Sequence, residues 1–450
     1  MKRLFKYIGH FLDSMTLTNK QKAGGIFLFF ILIVYLIFQY IKIHDFSHKP
    51  VEIYFADRIT AAHKQIIDKY NKLNEGKIKV IPIDFPNLDF STNERKEILA
   101  RSLRSGGDGI DVIAVDLIWV QRFAKWCEPL SRYFPDESKN RILKSALESC
   151  YYDGELVAVP FDLVQGVLYY REDLLKKLAN GDKIINKLKN QITWEEFIQL
   201  KNQIPSANPY YVIPAAVYEG LVCIYIELLL SLKPDYFEKE GFNFVTPQAE
   251  KALQLLVDLM NKYKMVPSEA SKFTEIPSYE YYIKNNGLFI RGWQSYDKDF
   301  KESPYDSIKE KNLKKAPIPY FVGGRPASVF GGWNLMVPKF SKKKQEAIDF
   351  VKFLVSNESQ EVMYKESGYY PVVNDFYEKP EYLKKYPEIK EIKSLIATGI
   401  HRPSHEEYTR FSKIMSSFIV KAMRNELPVK ESLERCSKAI QVDRIMVKDY

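Results

Sequence analysis

The residues of this chain best suited to hold a ligand are tryptophans and carboxylates beside turns and strand ends. In the stretch VFGGWNLMVP, Gly331 and Gly332 directly precede Trp333. A tryptophan in a core does not need two glycines before it, whereas a tryptophan held against a ligand is served by such a bend. The segment IRGWQ repeats the arrangement with Gly292 and Trp293. The two indoles are therefore candidates for stacking on apolar ligand faces.

Three further candidates follow from the pattern of residues 50–116. The segments VEIYFA, KIKVIPIDF and IDVIAVD are predicted strands separated by amphipathic helices, which favours a parallel α/β sheet with right-handed crossovers. Ligands of such sheets bind beyond the carboxyl ends of the strands. Asp57 follows the first strand, Asp116 ends the third, and Trp119 lies one turn further on. The alternatives, a capping role for Asp57 and a core role for Trp119, stay open.

The middle of the chain adds one more candidate. Pro160, within an apolar run, predicts a strand end or a crossover between lobes. The segment ITWEEF predicts a helix that begins with a capping box of Thr193 and Glu196. Glu219 stands at the start of a long apolar helix, where a charge needs a cation, backbone amides or a ligand hydroxyl as its partner.

Signals for catalysis, metals and cofactors are weak. Asp116 paired with Asp57 or Glu219 would offer the two carboxylates of a glycoside hydrolase. However, the chain has no G-x-S-x-G, H-E-x-x-H or P-loop sequence, and His401 and His405 are expected at the surface rather than as an acid–base pair. The chain also has no C-x-x-C pair. We therefore expect a protein that is not an enzyme and that holds no metal or cofactor.

The cysteines leave two alternatives. Cys127 and Cys150 would close a loop of about 24 residues if they formed a disulfide, which the chain-entropy model values at about 3 kcal/mol. Otherwise they are two unpaired, buried thiols. Cys223 lies in an apolar helical run and is expected in the core.

The charge balance argues against nucleic-acid binding. The net charge is +9, but residues 1–22 carry five basic side chains and one acidic one, so the other 428 residues carry only +5. A nucleic-acid interface needs a basic stripe, whereas these lysines are interleaved with glutamates. No nucleic-acid partner is expected.

The N-terminal region predicts a membrane anchor. Residues 24–41 (GGIFLFFILIVYLIFQYI) carry no charge, and as a helix they would reach about 27 Å, close to the ~30 Å of a bilayer's hydrocarbon core. The basic residues before them place residues 1–23 in the cytoplasm and the rest of the chain outside the cell membrane. No small-x-small site follows, so a single-pass, uncleaved anchor is expected rather than a cleaved signal peptide.

Eight segments in register resemble the extracellular solute-binding proteins of ABC sugar importers, in the branch of maltose- and trehalose-binding proteins. Among them are IDVIAVDLIWVQRFAKWCEPL, YYDGELVAVPFDLVQGVLYYREDLL, IRGWQ, SVFGGWNLMVPKF and HRPSHEEY, and the match runs from residue 50 to about 415. The resemblance implies two α/β lobes that close on a ligand at a hinge. It assigns 50–162 plus about 316–357 to the N-lobe, and about 163–315 plus 358–450 to the C-lobe.

The resemblance also implies roles for individual residues. Asp116 matches a carboxylate that accepts bonds from sugar hydroxyls, and Arg402 matches an arginine that donates to hydroxyl oxygens. The two indoles match those that stack on sugar rings, and the double glycine matches a turn whose backbone approaches the sugar. With the candidates from the pattern, the predicted ligand-binding residues are Asp57, Asp116, Trp119, Gln165, Glu219, Trp293, Gly331, Gly332, Trp333 and Arg402.

The chain departs from the family pattern at one position. Where relatives commonly have Thr-Asp before the glycine of G-x-L-Y-Y, this chain has Leu163, Val164 and Gln165. Val164 thus replaces a sugar-contacting aspartate, so either the ligand lacks a hydroxyl there or Asp162 or Gln165 substitutes. Trehalose or maltose is therefore not carried over as the ligand.

The expected function is that of a membrane-anchored, monomeric binding protein. It would capture a di- or oligosaccharide by lobe closure and deliver it to the permease of an ABC importer. One alternative keeps the fold but makes the protein a tethered sugar receptor for a membrane sensor. A glycoside hydrolase is the third possibility.

Overall fold

The computed structural model describes residues 18, 29–37, 39, 49–85, 92–106, 109–204, 209–299 and 312–442. The strands are β1 (Val51–Asp57), β2 (Ile78–Asp84), β3 (Val112–Asp116), β4 (Tyr151–Tyr152), β5 (Glu155–Leu156), β6 (Val159–Pro160), β7 (Val164–Arg171), β8 (Tyr211–Val212), β9 (Phe289–Trp293), β10 (Leu313–Ala316), β11 (Ser328–Gly331), β12 (Trp333–Met336) and β13 (Gly399–Ile400).

The α-helices after residue 50 are α1 (Ala61–Leu73), α2 (Thr92–Arg104), α3 (Val120–Phe123), α4 (Asp136–Asn140), α5 (Lys144–Leu147), α6 (Glu172–Leu175), α7 (Gly181–Lys189), α8 (Trp194–Gln203), α9 (Glu219–Leu232), α10 (Tyr236–Glu240), α11 (Pro247–Asn261), α12 (Glu275–Lys284), α13 (Tyr296–Asp299), α14 (Lys344–Leu354), α15 (Asn357–Ser367), α16 (Asp375–Glu378), α17 (Pro380–Lys385), α18 (Ile389–Ile396), α19 (Tyr408–Met423) and α20 (Val429–Gln441). Short 3-10 turns occupy Leu117–Trp119, Ala124–Trp126, Glu148–Cys150 and Ser268–Lys272.

The first sheet carries the strands predicted at the start of the chain. Its order is β2-β1-β3-β12-β6, with β1 parallel to β3 and β12 antiparallel to both β3 and β6. The parallel pair confirms the predicted strand–helix–strand organisation. Asp116 at the end of β3 lies directly opposite Trp333 at the start of β12. The sheet therefore places one predicted carboxylate beside one predicted indole.

The second sheet has the order β13-β11-β7-β9-β8, and β10 pairs with β7 outside this path. β7 runs antiparallel to β9, β10 and β11, whereas β8 is parallel to β9 and β11 is parallel to β13. A large hydrophobic core on this sheet contains almost the whole of α9, in which every residue from Gly220 to Ser231 is buried. The predicted buried helix is thereby confirmed.

Two short segments carry the chain from one sheet to the other. β6 ends at Pro160 in the first sheet and β7 begins at Val164 in the second, as the proline predicted. The return crossing is a single residue, Gly332, between β11 and β12. β11 therefore pairs in the second sheet although its residues fall in the range predicted for the N-lobe. The lobe boundaries themselves stay a prediction.

The conformation of Gly332 explains the double glycine. Its φ is +129°, a region that only glycine enters without strain, and a Cβ there would lie closer than 3.0 Å to the carbonyl oxygen of Asp162. The side chain of Asp162 in turn accepts a hydrogen bond of 3.1 Å from the backbone amide of Trp333. A Cβ on Gly332 thus meets the protein's own backbone. The bend itself therefore requires glycine at this position. The approach of this turn to a ligand stays a prediction.

Local predictions along the chain have clear outcomes. Thr193 and Glu196 form the predicted capping box at the start of α8. Cys127 and Cys150 are both buried free thiols, so the disulfide alternative is wrong. The backbone of Cys127 forms an isolated antiparallel β-bridge with Pro338, whereas Cys150 ends a 3-10 turn before β4. Burial raises the pKa of both thiols.

Part of the predicted anchor is described. Residues 29–37 and 39 are helical, and the large apolar side chains of this stretch include Phe29, which is 37% exposed, and Leu36, which is 56% exposed. Among the helices that the structure describes, none is long and apolar enough to cross a membrane. The rest of the predicted span 24–41, and the basic segment 1–23 apart from Thr18, lie outside the described residues.

We expect Gly332→Ala to destabilise the protein more than Gly323→Ala. Both glycines have positive φ, and either alanine would be strained by about 1–3 kcal/mol. Only at Gly332 does the new Cβ also meet a backbone carbonyl, since at Gly323 it has no atom within 4 Å. Urea unfolding should therefore show a further loss of about 1–3 kcal/mol for Gly332→Ala. Equal losses would mean that the sheet crossing accommodates a side chain.

Candidate functional site

Arg402 joins two of the predicted carboxylates. It follows β13, and its Nη2 donates to Oδ1 of Asp116 at 2.8 Å while its Nη1 donates to Oε1 of Glu219 at 2.9 Å. Asp116 ends β3 of the first sheet, and Glu219 begins α9, which packs on the second sheet. The structure thus brings together three residues that the sequence predicted separately. One guanidinium links the two sheets.

The positive charge of Arg402 is stabilised by the two neighbouring carboxylates. Its side chain is only 3% exposed, compared with 16% for Asp116 and 27% for Glu219. Burial opposes the charge, but the two carboxylates outweigh burial and raise the pKa of Arg402 well above its ordinary value. The Nε of Arg402 has no hydrogen-bond partner within the part of the chain that the structure describes. The two carboxylates are more exposed than the guanidinium that they hold.

Glu219 has hydroxyl partners as well as a cation. The hydroxyl of Tyr408 donates to its Oε1 at 2.9 Å, and the hydroxyl of Ser412 donates to its Oε2. Burial and the Glu219 charge raise the pKa of Tyr408, which keeps that hydroxyl protonated as a donor. Both donors belong to α19. Glu219 is therefore fixed in place before any ligand arrives.

Trp333 is half-buried at the start of β12 in the first sheet. The guanidinium of Arg95, from α2, lies 4.1 Å from the centre of its ring. The ring of Trp119 meets it edge-on, with centres 5.6 Å apart and planes at 79°. Trp119 itself is 1% exposed, so it lies in the core next to Trp333, in line with the alternative left open for it.

Asp57 is buried and engaged by protein groups on both of its oxygens. Oδ1 accepts from Nη2 of Arg95 at 2.8 Å and from the amide of Arg58 at 2.6 Å, and Oδ2 lies 3.1 Å from Nε2 of His63. Burial favours the neutral carboxyl, but the His63 hydrogen bond and the charges of His63 and Arg95 outweigh it and lower the pKa of Asp57. Asp57 therefore anchors Arg95, which lies against Trp333.

Trp293 has an equivalent support in the second sheet. The guanidinium of Arg291 lies 4.3 Å from its ring centre, and Arg291 bonds both oxygens of Glu227, at 2.7 and 3.3 Å. Glu227 lies two turns after Glu219 on α9. The indole Nε1 faces Oε1 of Glu275 at 3.5 Å, and burial raises the pKa of that carboxyl.

The departure at Val164 produces an apolar contact. Val164 pairs with Gly331, and a Cβ on Gly331 would lie 2.8 Å from Cγ2 of Val164 and 3.3 Å from Cζ3 of Trp293. Gly331 thus leaves room for both the valine and the indole. Gln165 is fully buried, and its side-chain amide donates to the carbonyl of Leu395 at 2.7 Å and to the hydroxyl of Thr398 at 3.2 Å.

Sequence reasoning missed Arg95, Arg291, Glu227 and Glu275. A signal did exist for Arg291, because it is a charged residue inside the apolar strand FIRGW and must have a partner. Arg95 gave none, since it lies among the charged residues of NERKEILARSLR and looks like part of a solvated helix face.

Known proteins resemble the chain over most of its length. A family model described as bacterial extracellular solute-binding protein matches residues 56–361. A probable ABC transporter-binding protein of Deinococcus radiodurans is 26% identical over 337 residues, which are 73% of this chain and 77% of that protein.

Solved structures of solute-binding proteins also superpose on this chain. Maltose-bound MalE3 of T. maritima superposes with a TM-score of 0.76 at 26% identity and covers 87% of this chain and 99% of that one. A solute-binding protein of Thermotoga lettingae, solved with α-D-tagatose, has a TM-score of 0.72 at 20% identity, with 87% and 98% covered. The chain therefore has the two-lobed α/β fold of these proteins.

We expect Glu227→Gln to be strongly destabilising. Arg291 and Glu227 are 0% and 2% exposed, and loss of one partner leaves a buried, uncompensated charge at a cost of about 3–5 kcal/mol. The matched control is Glu240→Gln, which breaks a pair with Lys233 whose side chains are 25% and 30% exposed, and should cost about 1 kcal/mol or less. Chemical unfolding of both variants checks this. Similar losses in the two would contradict the importance of the buried pair.

Proposed function

Because the chain belongs to the bacterial extracellular solute-binding protein family, we propose that it captures a di- or oligosaccharide by lobe closure and presents it to an ABC importer, without chemical reaction. The observation that carries the proposal is the link from Asp116 through Arg402 to Glu219. The half-buried Trp333 lies opposite Asp116, and the half-buried Trp293 borders Gly331, two residues before Trp333. Charged hydrogen-bonding groups and free indole faces are what a sugar needs.

The proposed binding mode uses both properties of a sugar. Its C–H faces would stack on the indoles, because these faces are apolar although the ring carries hydroxyls. Its hydroxyls would donate to the accessible oxygens of Asp116 and Glu219 and accept from Arg402. Since these groups come from both sheets, a ligand that bonds all three would favour the closed arrangement of the lobes.

The comparison with a maltose-bound protein supports a sugar as the solute. The structure of MalE3, which shares 26% identity with this chain, contains maltose, and the family match covers 56–361, which includes Asp116, Trp293 and Trp333. The valine at Val164 gives this site an apolar surface beside Trp293. We propose that the sugar presents a C–H group there instead of a hydroxyl.

The proposal includes location and partners. The uncharged stretch 24–41 would anchor the chain in the cell membrane as a single pass, with the binding lobes on the extracytoplasmic side and residues 1–23 in the cytoplasm. The described part of this stretch exposes large apolar side chains, as a lipid-facing helix would. A monomer bound to the permease of an importer is the expected working form. A sensor protein is the alternative partner.

We expect one class of sugar to raise the melting temperature of the protein, and Trp333→Ala to remove about half of that shift or more. A ligand at about 100 times its Kd stabilises the folded state by about 2.7 kcal/mol. Loss of the stacked ring should weaken binding about tenfold or more. The measurement is a thermal-shift scan against trehalose, maltose, sucrose, longer glucans and non-sugar controls.

The matched control for this scan is Trp126→Ala. Trp126 is also half-buried and stacked by a cation, with Nζ of Lys125 4.6 Å from its ring centre, but it lies outside the site. Its loss should leave the sugar-induced shift intact. No shift with any sugar would contradict the proposed solute class, and release of monosaccharides on long incubation would point to a hydrolase.

We expect the full chain to behave as an integral membrane protein because residues 24–41 can span the hydrocarbon core. After expression, it should stay in the membrane pellet through an alkaline carbonate wash, which removes peripheral proteins. A chain without residues 2–45 should appear in the supernatant and keep its sugar-induced thermal shift. Release of the full chain by carbonate would contradict the anchor.

A further inference from the structure

The indole of Trp333 rests on a buried stack of two charged residues. The Arg95 guanidinium lies 4.1 Å from the ring centre, and Nη2 of Arg95 donates to Oδ1 of Asp57 at 2.8 Å. Arg95 is only 2% exposed and Asp57 3%. His63 fixes the other oxygen of Asp57. The indole therefore packs against a guanidinium whose position is fixed by its bond to Asp57.

The indole of Trp293 rests on the same kind of stack. The Arg291 guanidinium lies 4.3 Å from its ring centre, and Glu227 holds it through two hydrogen bonds. The Arg291 side chain is fully buried, and Glu227 also accepts from the amide of Val329 at 3.1 Å. Gly166 makes room for the pair, since a Cβ there would lie 2.6 Å from Nη2 of Arg291.

The two stacks have the same consequence for a ligand. In each, a buried guanidinium covers one face of a half-exposed indole. The ligand can then use only the other face. A planar guanidinium stacks on an aromatic ring and holds its carboxylate in a fixed direction, so it sets the plane of the ring as well as its position.

We propose that Arg95 and Arg291 are positioning residues, each anchored by a buried carboxylate, that fix the planes of Trp333 and Trp293 for ligand stacking. The proposal rests on the proposed function because it takes these indoles as the stacking groups. It gives Asp57 a role one step removed from the ligand. A ring that is already ordered loses less side-chain entropy on binding, which strengthens the complex.

The test is fluorine NMR of the full chain labelled with 5-fluorotryptophan, without ligand. The chain has five tryptophans, so each resonance can be assigned by a Trp→Phe variant. Arg95→Met should shift and broaden the Trp333 resonance and leave that of Trp293 in place. Arg95→Lys keeps the positive charge beside Asp57 but lacks a planar group that can stack on the indole. It should therefore be more stable than Arg95→Met, while its Trp333 resonance stays shifted from the wild-type position.

The second stack is tested by the double variant Glu227→Gln with Arg291→Met, which removes both charges and leaves neither unpaired. The double variant should change the fluorine chemical shift of Trp293 and leave that of Trp333 unchanged. If Arg95→Met does not fold, Arg95→Lys and this double variant carry the test. Unchanged resonances of both indoles in the folded variants would overturn the proposal.

The matched control is an arginine at the surface that likewise lies on an aromatic ring and pairs with a carboxylate. Arg132 lies 4.6 Å from the ring centre of Tyr133 and bonds Glu128 at 2.6 Å, but its side chain is 65% exposed. Arg132→Met should leave all five tryptophan resonances in place. Changes at Trp333 or Trp293 in this variant would show that the resonances respond to remote substitutions, and would overturn the assignment.

Binding provides the functional readout. With maltose as the probe in calorimetry, Arg95→Met should weaken the Kd about three- to tenfold, the cost of ordering one or two side chains on binding. An unchanged Kd together with a shifted resonance would overturn the positioning role. If no sugar binds the wild-type chain, the proposed function fails, while the resonances of the ligand-free protein still decide whether the arginines position the rings.

Discussion

Arg402 places one buried positive charge between two carboxylates that come from different parts of the fold. Asp116 ends a strand of the first sheet, and Glu219 starts a helix packed on the second, so the guanidinium depends on both sheets at once. A buried guanidinium without partners would be strongly unfavourable. The same groups that satisfy it are the ones accessible to a ligand. The stability of this region and its capacity to bind hydroxyls thus rest on one set of contacts.

The same device recurs under the indoles, where Arg95 pairs with Asp57 and Arg291 pairs with Glu227. Such buried pairs contribute little stability compared with apolar packing, and breaking them is costly. Their benefit here is orientation. At Gly166, the absence of a side chain leaves the space that Arg291 and Glu227 occupy. The fold and the site depend on each other, because the buried charges that orient the indoles also need their carboxylate partners for the core to be stable.

The sequence predicted the groups that lie near strand ends, and Arg402 through the resemblance, but not the buried charged pairs beside the two indoles. Asp116 was found by the rule for parallel sheets, since strand ends meet at one edge. The same rule selected Asp57 but carried no information about Arg95, which is 38 positions away and approaches from a helix. Arg291 and its partner are 64 positions apart. Local patterns report periodicity and turns, whereas these contacts depend on how distant elements pack.

A crystal structure of the protein with the sugar that gives the largest thermal shift would show whether the ligand lies between the two indoles and the Asp116–Arg402–Glu219 link. We expect sugar rings about 4 Å from the faces of Trp293 and Trp333 that the arginines do not cover, and hydroxyls within about 3 Å of Asp116. Arg95 and Arg291 should remain behind the indoles. A sugar bound elsewhere, or one that leaves Asp116, Glu219 and Arg402 without any ligand contact, would contradict the proposed binding mode.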